Sequence, residues 1–434
     1  MPERPGSGDI TINGSPTDPP PVTRPAPVSD PTFSLRRIAV AAFGPTLLFG
    51  IGEGAMLPVV ALGARDLGAS VPAAALIVTL IGIGSLLSNI PASMLTMARG
   101  ERWALVAASL WCALAMALCA GTGQLGLFAL GCFLVGTAQA VFSLARQSYL
   151  TEAVPPSLRA RAMSTLGGVM RIGMFIGPIL GAAAIHQFGL TGAWGVGITA
   201  LLLSAALAAR LPDLELPPPA ASDAIADTSR RGPGWRSILR DHRQVFVTLG
   251  IGILLVSAVR ASRQAVIPLW ADQLALEASV ASVIYGLATG IEMLVFYPAG
   301  KLMDRKGRRW VAVPSMLIMG AALLLLPLAG SAATLLLAAS VIGFGNGISS
   351  GLIMTLGADH SPRAGRAHFL GVWRFMADMG AASGPALLSF LAAALSLGVG
   401  IAVTGLIACA AAAQLAYWIP RTSRAAPADG PSRR

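Results

Sequence analysis

The sequence predicts an all-α membrane protein in which twelve transmembrane helices form two pseudo-symmetric bundles of six. Three observations support this fold class. Of the 434 residues, 55% are hydrophobic and only 12% are charged, whereas globular chains carry about 25% charged residues. Twelve apolar stretches each approach the ~20 residues that a helix needs to cross a bilayer. Patterns in the first half of the chain return in the second half at a constant spacing, which indicates an internal repeat.

The repeat is clearest in two basic loops. Pro298 to Trp310 reads PAGKLMDRKGRRW, and Pro91 to Trp103, 207 residues earlier, reads PASMLTMARGERW. Pro, Ala, Leu, Gly, Arg and Trp recur at the same internal spacing. The same offset of 207 residues relates Gly177-Pro178 to Gly384-Pro385. Matches this far apart at one offset indicate a duplicated unit of six helices.

The spans and their connections set the domain boundaries. The spans are expected at residues 37–62, 72–97, 103–121, 124–150, 163–186, 190–210, 244–271, 279–301, 310–329, 332–357, 366–393 and 396–418. Residues 211–243 are rich in Pro, Ser, Asp and Arg, and they are expected to form a cytoplasmic linker between bundles at 35–210 and 244–420. Residues 1–34 and 421–434 are expected to be disordered cytoplasmic tails.

The placement of arginine and lysine sets the predicted orientation. Basic residues cluster in the loops on one side of the predicted bundle, and the opposite loops offer little beyond Arg65. By the positive-inside rule, the basic side and both termini are cytoplasmic. The formal charge of +11 therefore reflects membrane topology and not nucleic-acid binding. We expect a multi-pass protein of the plasma (inner) membrane, and the Arg/Ala/Gly bias suggests a bacterial one.

Neither a metal site nor catalytic chemistry is predicted. The four cysteines, Cys112, Cys119, Cys132 and Cys409, fall inside apolar spans without metal-ligand spacing. The sequence shows no phosphate-binding loop and no serine nucleophile motif. The chain is therefore not expected to be an enzyme or to hold a cofactor. A membrane-embedded enzyme or sensor is the third interpretation considered.

The two six-helix halves, the linker and the basic loop at 300–309 together resemble the major facilitator superfamily, in particular its twelve-helix drug/proton antiporter-type exporters, over roughly residues 36–420. The loop is similar to the family's signature loop, motif A. The resemblance implies a gating role for Gly300, Asp304, Gly307, Arg308 and Arg309. An acid and arginines near helix ends can form charge pairs that break as two bundles rock. The alternative is a solvated basic loop that only fixes topology.

The fifth span contains Gly173-x3-Gly177-Pro178-x2-Gly181, which is similar to the family's motif C, a pattern associated with exporters. Glycines along one face and a bend at proline give a closely packed, kinked helix. Packing without any bearing on transport direction is the alternative. Similar exporters carry a pattern like R-x-x-Q-G in the fourth helix; its arginine and glutamine are absent here. Arg146, further along that helix, is the candidate substitute.

Ionisable residues inside the spans are the main candidates for coupling and substrate binding, since each costs roughly 2.5–3.5 kcal/mol on insertion scales. Glu53 lies mid-span in helix 1 and Arg260 mid-span in helix 7, again 207 residues apart. The resemblance places both helices around the central cavity, and Arg263 shares the face of Arg260. Glu53 is expected either to pair with Arg260 or Arg263, or to bind a proton or a cationic substrate group. A permanent ion pair between the halves is the structural alternative.

Two further charge pairs are expected inside the membrane. The resemblance places Arg171 of helix 5 opposite Glu292 of helix 8, and Arg374 and Asp378 can pair within helix 11 because they are four residues apart. For both pairs, a structural role and a coupling role remain open. Four residues at predicted cytoplasmic helix ends are assigned to the gate because they can clamp the basic loops: Glu152, Arg159, Asp359 and Arg366.

These features predict a secondary active transporter that works by alternating access around a midplane site. The leading expectation is proton-driven export of lipophilic or cationic small molecules, because the predicted cavity lining is apolar. The alternative is proton-coupled uptake of an anionic metabolite, since Arg260 and Arg263 could bind a carboxylate or phosphate bidentately. The expected partners are a small-molecule substrate, protons or another coupling ion, and the lipid bilayer, and the resemblance implies a monomer.

Overall fold

A computed structural model describes residues 35–154, 159–211, 235–362 and 365–425 of the chain. Every regular element in these ranges is helical. Twelve helices there are long and apolar enough to cross a membrane. The predicted all-α fold and the number of spans are thereby confirmed. The first tail, most of the expected linker and the end of the second tail lie outside the described residues. The disorder of the tails and the cytoplasmic position of the linker stay predictions.

The twelve membrane helices are numbered α1 to α12. The first half contains α1 Leu35–Asp66, α2 at 71–99 and α3 at 101–121 within the segment Val71–Gly121, α4 Leu125–Ala153, α5 Arg159–Phe188 and α6 Leu190–Ala208. The second half contains α7 Arg243–Gln273, α8 Ala278–Lys306, α9 Arg309–Leu325, α10 Ala332–His360, α11 Arg366–Ala394 and α12 Leu397–Ala425. A short helix before α7, Trp235–Asp241, is called the linker helix.

Two glycines at equivalent places of the repeat turn the chain in the basic loops. Gly100, between α2 and α3, has φ 78° and ψ 162°. Gly307, at the end of α8, has φ 91° and ψ 166°. Residues with a side chain rarely adopt such a positive φ. The repeated glycine therefore serves the backbone of both loops, although the first loop has Met97 where the second has Asp304.

Each half packs its central helices in the same way. Helix α5 lies against α1 through Gly173 and Gly177, and α11 lies against α7 through Gly380 and Gly384. A Cβ atom added to Gly173 would lie 2.5 Å from the carbonyl oxygen of Leu47. Because lipid provides no hydrophobic drive between helices, such close backbone contact is a main source of helix association.

The two halves meet along two seams, α2 with α11 and α5 with α8. We call the end that carries residues 298–310 and the linker helix the basic end, and the other the opposite end. At the opposite end, Arg65 Nε lies 2.8 Å from Asp272 Oδ2. The Ser389 hydroxyl donates to the Pro72 carbonyl at 2.7 Å. Both contacts join the halves, so the opposite end is closed.

Candidate substrate site

Helix α10 is interrupted past its midpoint. Its first segment ends at Ile348 and its second begins at Leu352, and Gly351 between them has φ 86°. Ser349 and Ser350, within the interruption, are buried. Irregular backbone at membrane depth occurs where protein buries it or where it lines a cavity, and interrupted helices often form transporter sites. The interruption is therefore a place where polar groups can gather.

Two arginines reach the interruption from opposite halves. Arg171 of α5 donates from Nη2 to the Ser350 hydroxyl at 3.1 Å and from Nη1 to the Gly167 carbonyl at 3.2 Å. Arg260 of α7 directs Nη1 at the Ser349 carbonyl at 3.5 Å, which is a long contact. A guanidinium has five N–H donors, so these contacts leave both arginines able to bind more.

Arg263 and Glu292 form a buried ion pair beside the interruption. Arg263 Nη2 lies 2.8 Å from Glu292 Oε2, and both side chains are only 8% exposed. The two groups are close, but the Arg263 Nη2–H is not aligned with Glu292 Oε2, so the contact is an ion pair without a hydrogen bond. Arg171 and Arg260 lie within electrostatic range of the same carboxylate. The direct partner of Glu292 is thus Arg263, from its own half, and not Arg171, the expected partner across the interface.

Glu53 enters the centre from the first half and makes no ion pair with the α7 arginines in the described part of the chain. Its neighbours Gly52 and Gly54 pack against α6 and α5, which fixes the rotation of α1. Its side chain is half-buried, and Arg146 of α4 is a cation within electrostatic range. Glu53 and Arg260 are related by the repeat; the cation near Glu53 is Arg146 of its own half, and Arg260 contacts the Ser349 carbonyl of its own half.

Arg374 and Asp378 form the intrahelical pair that their spacing indicated. Arg374 Nε lies 3.0 and 3.1 Å from the two carboxylate oxygens of Asp378. Asn89 of α2 donates from Nδ2 to the same carboxylate at 3.1 Å. Asp378 therefore contributes to the α2–α11 seam as well. The sequence analysis missed Asn89, since one uncharged amide in an apolar span gives little signal.

These residues form what we call the central charge cluster: Glu53, Arg146, Arg171, Arg260, Arg263, Glu292, Arg374 and Asp378. Five arginines against three carboxylates leave a formal excess of two positive charges. Five buried donor groups on four residues in or beside the cluster have no hydrogen-bond partner among the described residues: Nε and Nη1 of Arg146, Nε of Arg171, Nη1 of Arg263 and the Tyr285 hydroxyl. Buried polar groups normally find partners. The cluster is therefore suited to a ligand that supplies negative charge and hydrogen-bond acceptors.

At the basic end, the signature loop is bound to the end of α10. Arg308 donates from Nε and Nη2 to the Asp359 carboxylate at 2.8 and 3.3 Å. Its Nη1 lies 3.9 Å from Asp304 Oδ1. Asp359 thus clamps the loop, in the manner expected of the gate. Both partners of Arg308 belong to the second half, so this clamp does not itself join the halves.

At the equivalent positions of the first half, the described side chains do not form this clamp. Glu101 stands at the repeat position of Arg308, and Glu152 at that of Asp359. Glu101 accepts a hydrogen bond from the Ser148 hydroxyl at 2.8 Å. Two acids cannot attract each other, so the repeat has kept the loop but not its electrostatic bond.

The remaining gate residues form no ion pair among the described side chains. Arg309 and Arg366 are exposed. A Cβ atom on Gly300 would meet no neighbour within 4 Å. The side chain of Arg159 lies outside the described residues. A gating role for these residues stays a prediction.

The α5 glycine motif connects the neighbours of the site. Gly173 and Gly177 bring α5 into backbone contact with α1, and Gly181 makes only ordinary contact, with a Cβ 3.4 Å from the Ala55 carbonyl. Pro178 packs against Gly286 of α8 across the seam. The motif therefore positions α1, which carries Glu53, relative to the second half.

Comparison with known families gives the identity of this architecture. A model of the Major Facilitator Superfamily matches residues 43–365 and 249–434. The chain belongs to this superfamily. It is therefore a multi-pass membrane transporter and not an enzyme, which confirms the resemblance seen in the sequence. A search of curated proteins found no match.

Solved structures of other superfamily transporters share the fold at low sequence identity. A D-xylose–proton symporter has a TM-score of 0.68 at 17% identity, over 88% of this chain and 97% of that one. A bacterial homologue of the human lysosomal transporter Spinster, inward-facing and unoccupied, has a TM-score of 0.69 at 15% identity, over 87% of this chain and 95% of that one. A POT family transporter in complex with a thioalcohol-conjugated peptide has a TM-score of 0.69 at 14% identity, over 89% of this chain and 96% of that one. At these identities the likeness shows the fold alone.

In this superfamily member, the sequence analysis also missed the closure of the opposite end. Arg65 and Asp272 are 207 residues apart, so they occupy equivalent helix ends in the two halves. The signal was present, because opposite charges at the repeat offset had already singled out Glu53 and Arg260. Of these two repeat-related pairs, only Arg65 and Asp272 come into contact in the described structure.

Proposed function

We propose that this transporter carries a small organic anion by alternating access and couples its movement to protons. The observation that carries the proposal is the excess of arginine in the central charge cluster. Arg171, Arg260 and Arg263 surround a single carboxylate, Glu292, at the interruption of α10. Arginine binds carboxylate and phosphate groups through paired, charge-assisted hydrogen bonds. An anion bound here would use donors that have no protein partner and would offset the positive charge.

We propose Glu53 as the proton site. It is half-buried, and it lies within electrostatic range of Arg146 and of Tyr285. An ionised Glu53 balances the charge of Arg146, whereas a protonated Glu53 leaves this arginine available to an anion. Proton binding and anion binding then favour each other, and such coupling is reciprocal. This linkage supports movement of the proton and the anion in the same direction.

The α5 glycine motif supports a second candidate, proton-driven export of lipophilic or cationic molecules. Gly173 and Gly177 give the close α1–α5 contact that motif C of exporters is expected to make. In that case Glu53 would bind the cationic group of the substrate. We place this candidate second because the arginines around the interruption of α10 would repel a cation.

We further propose that the basic end faces the cytoplasm of a bacterial plasma membrane, in agreement with the positive-inside rule, and that the transporter acts as a monomer. The contacts of Arg65 with Asp272 and of Ser389 with Pro72 close the opposite end. With this orientation, the structure is closed to the outside.

Transport in proteoliposomes tests the proposal. The purified full chain is reconstituted, an inward proton gradient is imposed, and the uptake of phthalate, phenyl phosphate and benzyltrimethylammonium is compared. We expect gradient-driven uptake of an anion that a protonophore abolishes. Arg260→Gln should remove it, while Arg99→Gln, which removes an exposed cation at the basic end, should not. Uptake or counterflow of the cation alone would contradict the proposal and favour the second candidate.

A further inference from the structure

The linker helix presents two different faces. Ile238 is 2% exposed and points into the protein, and the ring of His242 meets the edge of the Phe369 ring of α11 at 5.4 Å. Arg236, Leu239 and Arg240 follow the spacing i, i+3, i+4, so they share the other face, and Arg243 follows as the first residue of α7. Leu239, Arg240 and Arg243 are exposed. The outward face therefore combines two arginines with one leucine, and a third arginine, Arg243, follows it in the chain.

An apolar groove lies directly beneath this face. It has a volume of about 490 Å³ and is lined by Leu239 of the linker helix, Phe246 and Ile251 of α7, and Gly371, Phe375 and Met376 of α11. Phe375 is 53% exposed. The volume falls within the ~300–1,000 Å³ of pockets that hold small molecules. Leu239 belongs both to the groove and to the arginine face, so the two features are continuous.

The charge of Arg240 and Arg243 is only partly balanced by the side chains that the structure describes. Asp241 is the acid beside the arginines, with Oδ1 3.4 Å from Arg240 Nε. Its other oxygen accepts a hydrogen bond from the Ser237 hydroxyl at 2.8 Å. Among the described side chains, Arg240 and Arg243 against Asp241 leave a formal excess of one positive charge above the groove. The Arg240 side chain is 83% exposed and free to reach a ligand.

We propose that this place is a binding site for one anionic phospholipid. Its phosphate binds Arg240 and Arg243, with Arg236 beside them, and an acyl chain lies in the groove between α7 and α11. Anionic headgroups attract juxtamembrane arginines, and the groove gives an acyl chain of the same lipid an apolar surface to pack against. The positive-inside rule alone would account for the arginines at this end, but it would not account for an apolar groove beside them. This site is separate from the central charge cluster and does not depend on the proposed substrate.

Lipid retention tests the site. The full chain is purified in a mild detergent with equal amounts of phosphatidylglycerol and phosphatidylcholine, passed through gel filtration, and its bound lipids are counted by mass spectrometry. We expect about one phosphatidylglycerol per chain, with phosphatidylcholine at least about tenfold lower. The triple variant Arg236→Gln, Arg240→Gln, Arg243→Gln should lose the retained lipid.

Two further variants separate this site from general attraction to charge. Lys301→Gln, Arg305→Gln, Lys306→Gln removes the same charge from the same end, away from the groove, and should retain the lipid. Gly371→Leu fills the groove while all arginines remain; a Cβ there meets no atom within 4 Å, so the variant should fold. It should lose retention. Equal retention of the two lipids, equal loss in the control, or normal retention by Gly371→Leu would each overturn the proposal.

Discussion

The two seams between the halves are related by the repeat but are closed by different chemistry. In the α2–α11 seam, the Asn89 amide donates to Asp378 at 3.1 Å. The repeat positions in the α5–α8 seam hold Phe296 and Arg171. There the guanidinium carbon of Arg171 lies 4.2 Å from the centre of the Phe296 ring. One seam thus uses an amide–carboxylate hydrogen bond and the other a cation–π contact.

The difference teaches which seam can respond to a ligand. Asp378 is already bonded to Arg374 and Asn89, so its carboxylate has little left to offer. Arg171 keeps a buried Nε without a partner in the described structure, and it lies within electrostatic range of Glu292. A bound anion can therefore attract the Arg171 guanidinium, whereas it does not attract the Asp378 carboxylate, which is itself an anion. We infer that substrate acts on the α5–α8 seam, while the α2–α11 seam stays paired.

Among the variants that test the two seams, the largest expected effect comes from Arg171→Gln. A hydrogen bond to a charged group contributes about 1.5–3 kcal/mol, and each 1.4 kcal/mol is about tenfold. We therefore expect anion transport in proteoliposomes to fall about tenfold or more. Arg171→Lys keeps the charge but not the planar fork, and it should recover part of the loss. An equal loss in Asp378→Asn would remove the distinction between the seams.

A somewhat smaller effect is expected from Gly290→Ala, which tests packing in the same seam. A Cβ at Gly290 would lie 2.7 Å from the Phe175 ring, whereas one at Gly82, in the other seam, would lie 3.4 Å from Ala382 Cα. Overpacking typically destabilises by about 1–3 kcal/mol. Thermal unfolding should show a lower transition temperature for Gly290→Ala and almost no change in this temperature for Gly82→Ala. The reverse order would contradict the close packing assigned to α5 and α8.

Phe296→Leu is expected to loosen the α5–α8 seam without removing a charge. A cation–π contact is worth about 0.5–2 kcal/mol, so the closed seam should become a few-fold less populated. Spin labels on α5 and α8 should show a broader distance distribution, while labels on α2 and α11 should not. Phe390→Leu, on the exposed side of α11, is the matched control. Broadening at both seams would mean that they open together.

The smallest effect is expected from Asp378→Asn. The new amide oxygen can still accept from Asn89, and the lost pair with Arg374 is partly exposed, with side-chain exposures of 53% and 19%. Such pairs contribute about 0–1 kcal/mol. Anion transport should therefore change less than about threefold. A loss as large as that of Arg171→Gln would show that Asp378 takes part in coupling.

The architecture was predictable because the repeated residues are ones that the backbone requires, such as glycines in tight loops and close helix contacts. Gly100 and Gly307 adopt the same positive φ in equivalent loops, and the close approach at Gly173 returns at Gly380. These residues are set by local geometry, which sequence records directly. The number of apolar spans is similarly fixed by the thickness of the bilayer.

The contacts within the centre were less predictable, because they depend on helix rotation and distance from the axis. Glu53 and Arg260 share the repeat offset with Arg65 and Asp272, yet only the latter pair touches. The interruption of α10 was also hidden. Gly343 and Gly347 pack against α8, but Gly351, at the same spacing of four, adopts φ 86° and turns the chain. Equal spacing in sequence therefore did not mean an equal role.

The most direct test of the central charge cluster measures ligand binding by thermal unfolding. A ligand that binds only the folded state raises the unfolding temperature in proportion to the logarithm of its concentration. Purified wild type, Arg260→Gln and Arg99→Gln are each titrated with phthalate, phenyl phosphate and benzyltrimethylammonium. The account predicts that an anion stabilises wild type and Arg99→Gln but not Arg260→Gln. Stabilisation by the cation alone, or equal stabilisation of all three proteins by the anion, would contradict it.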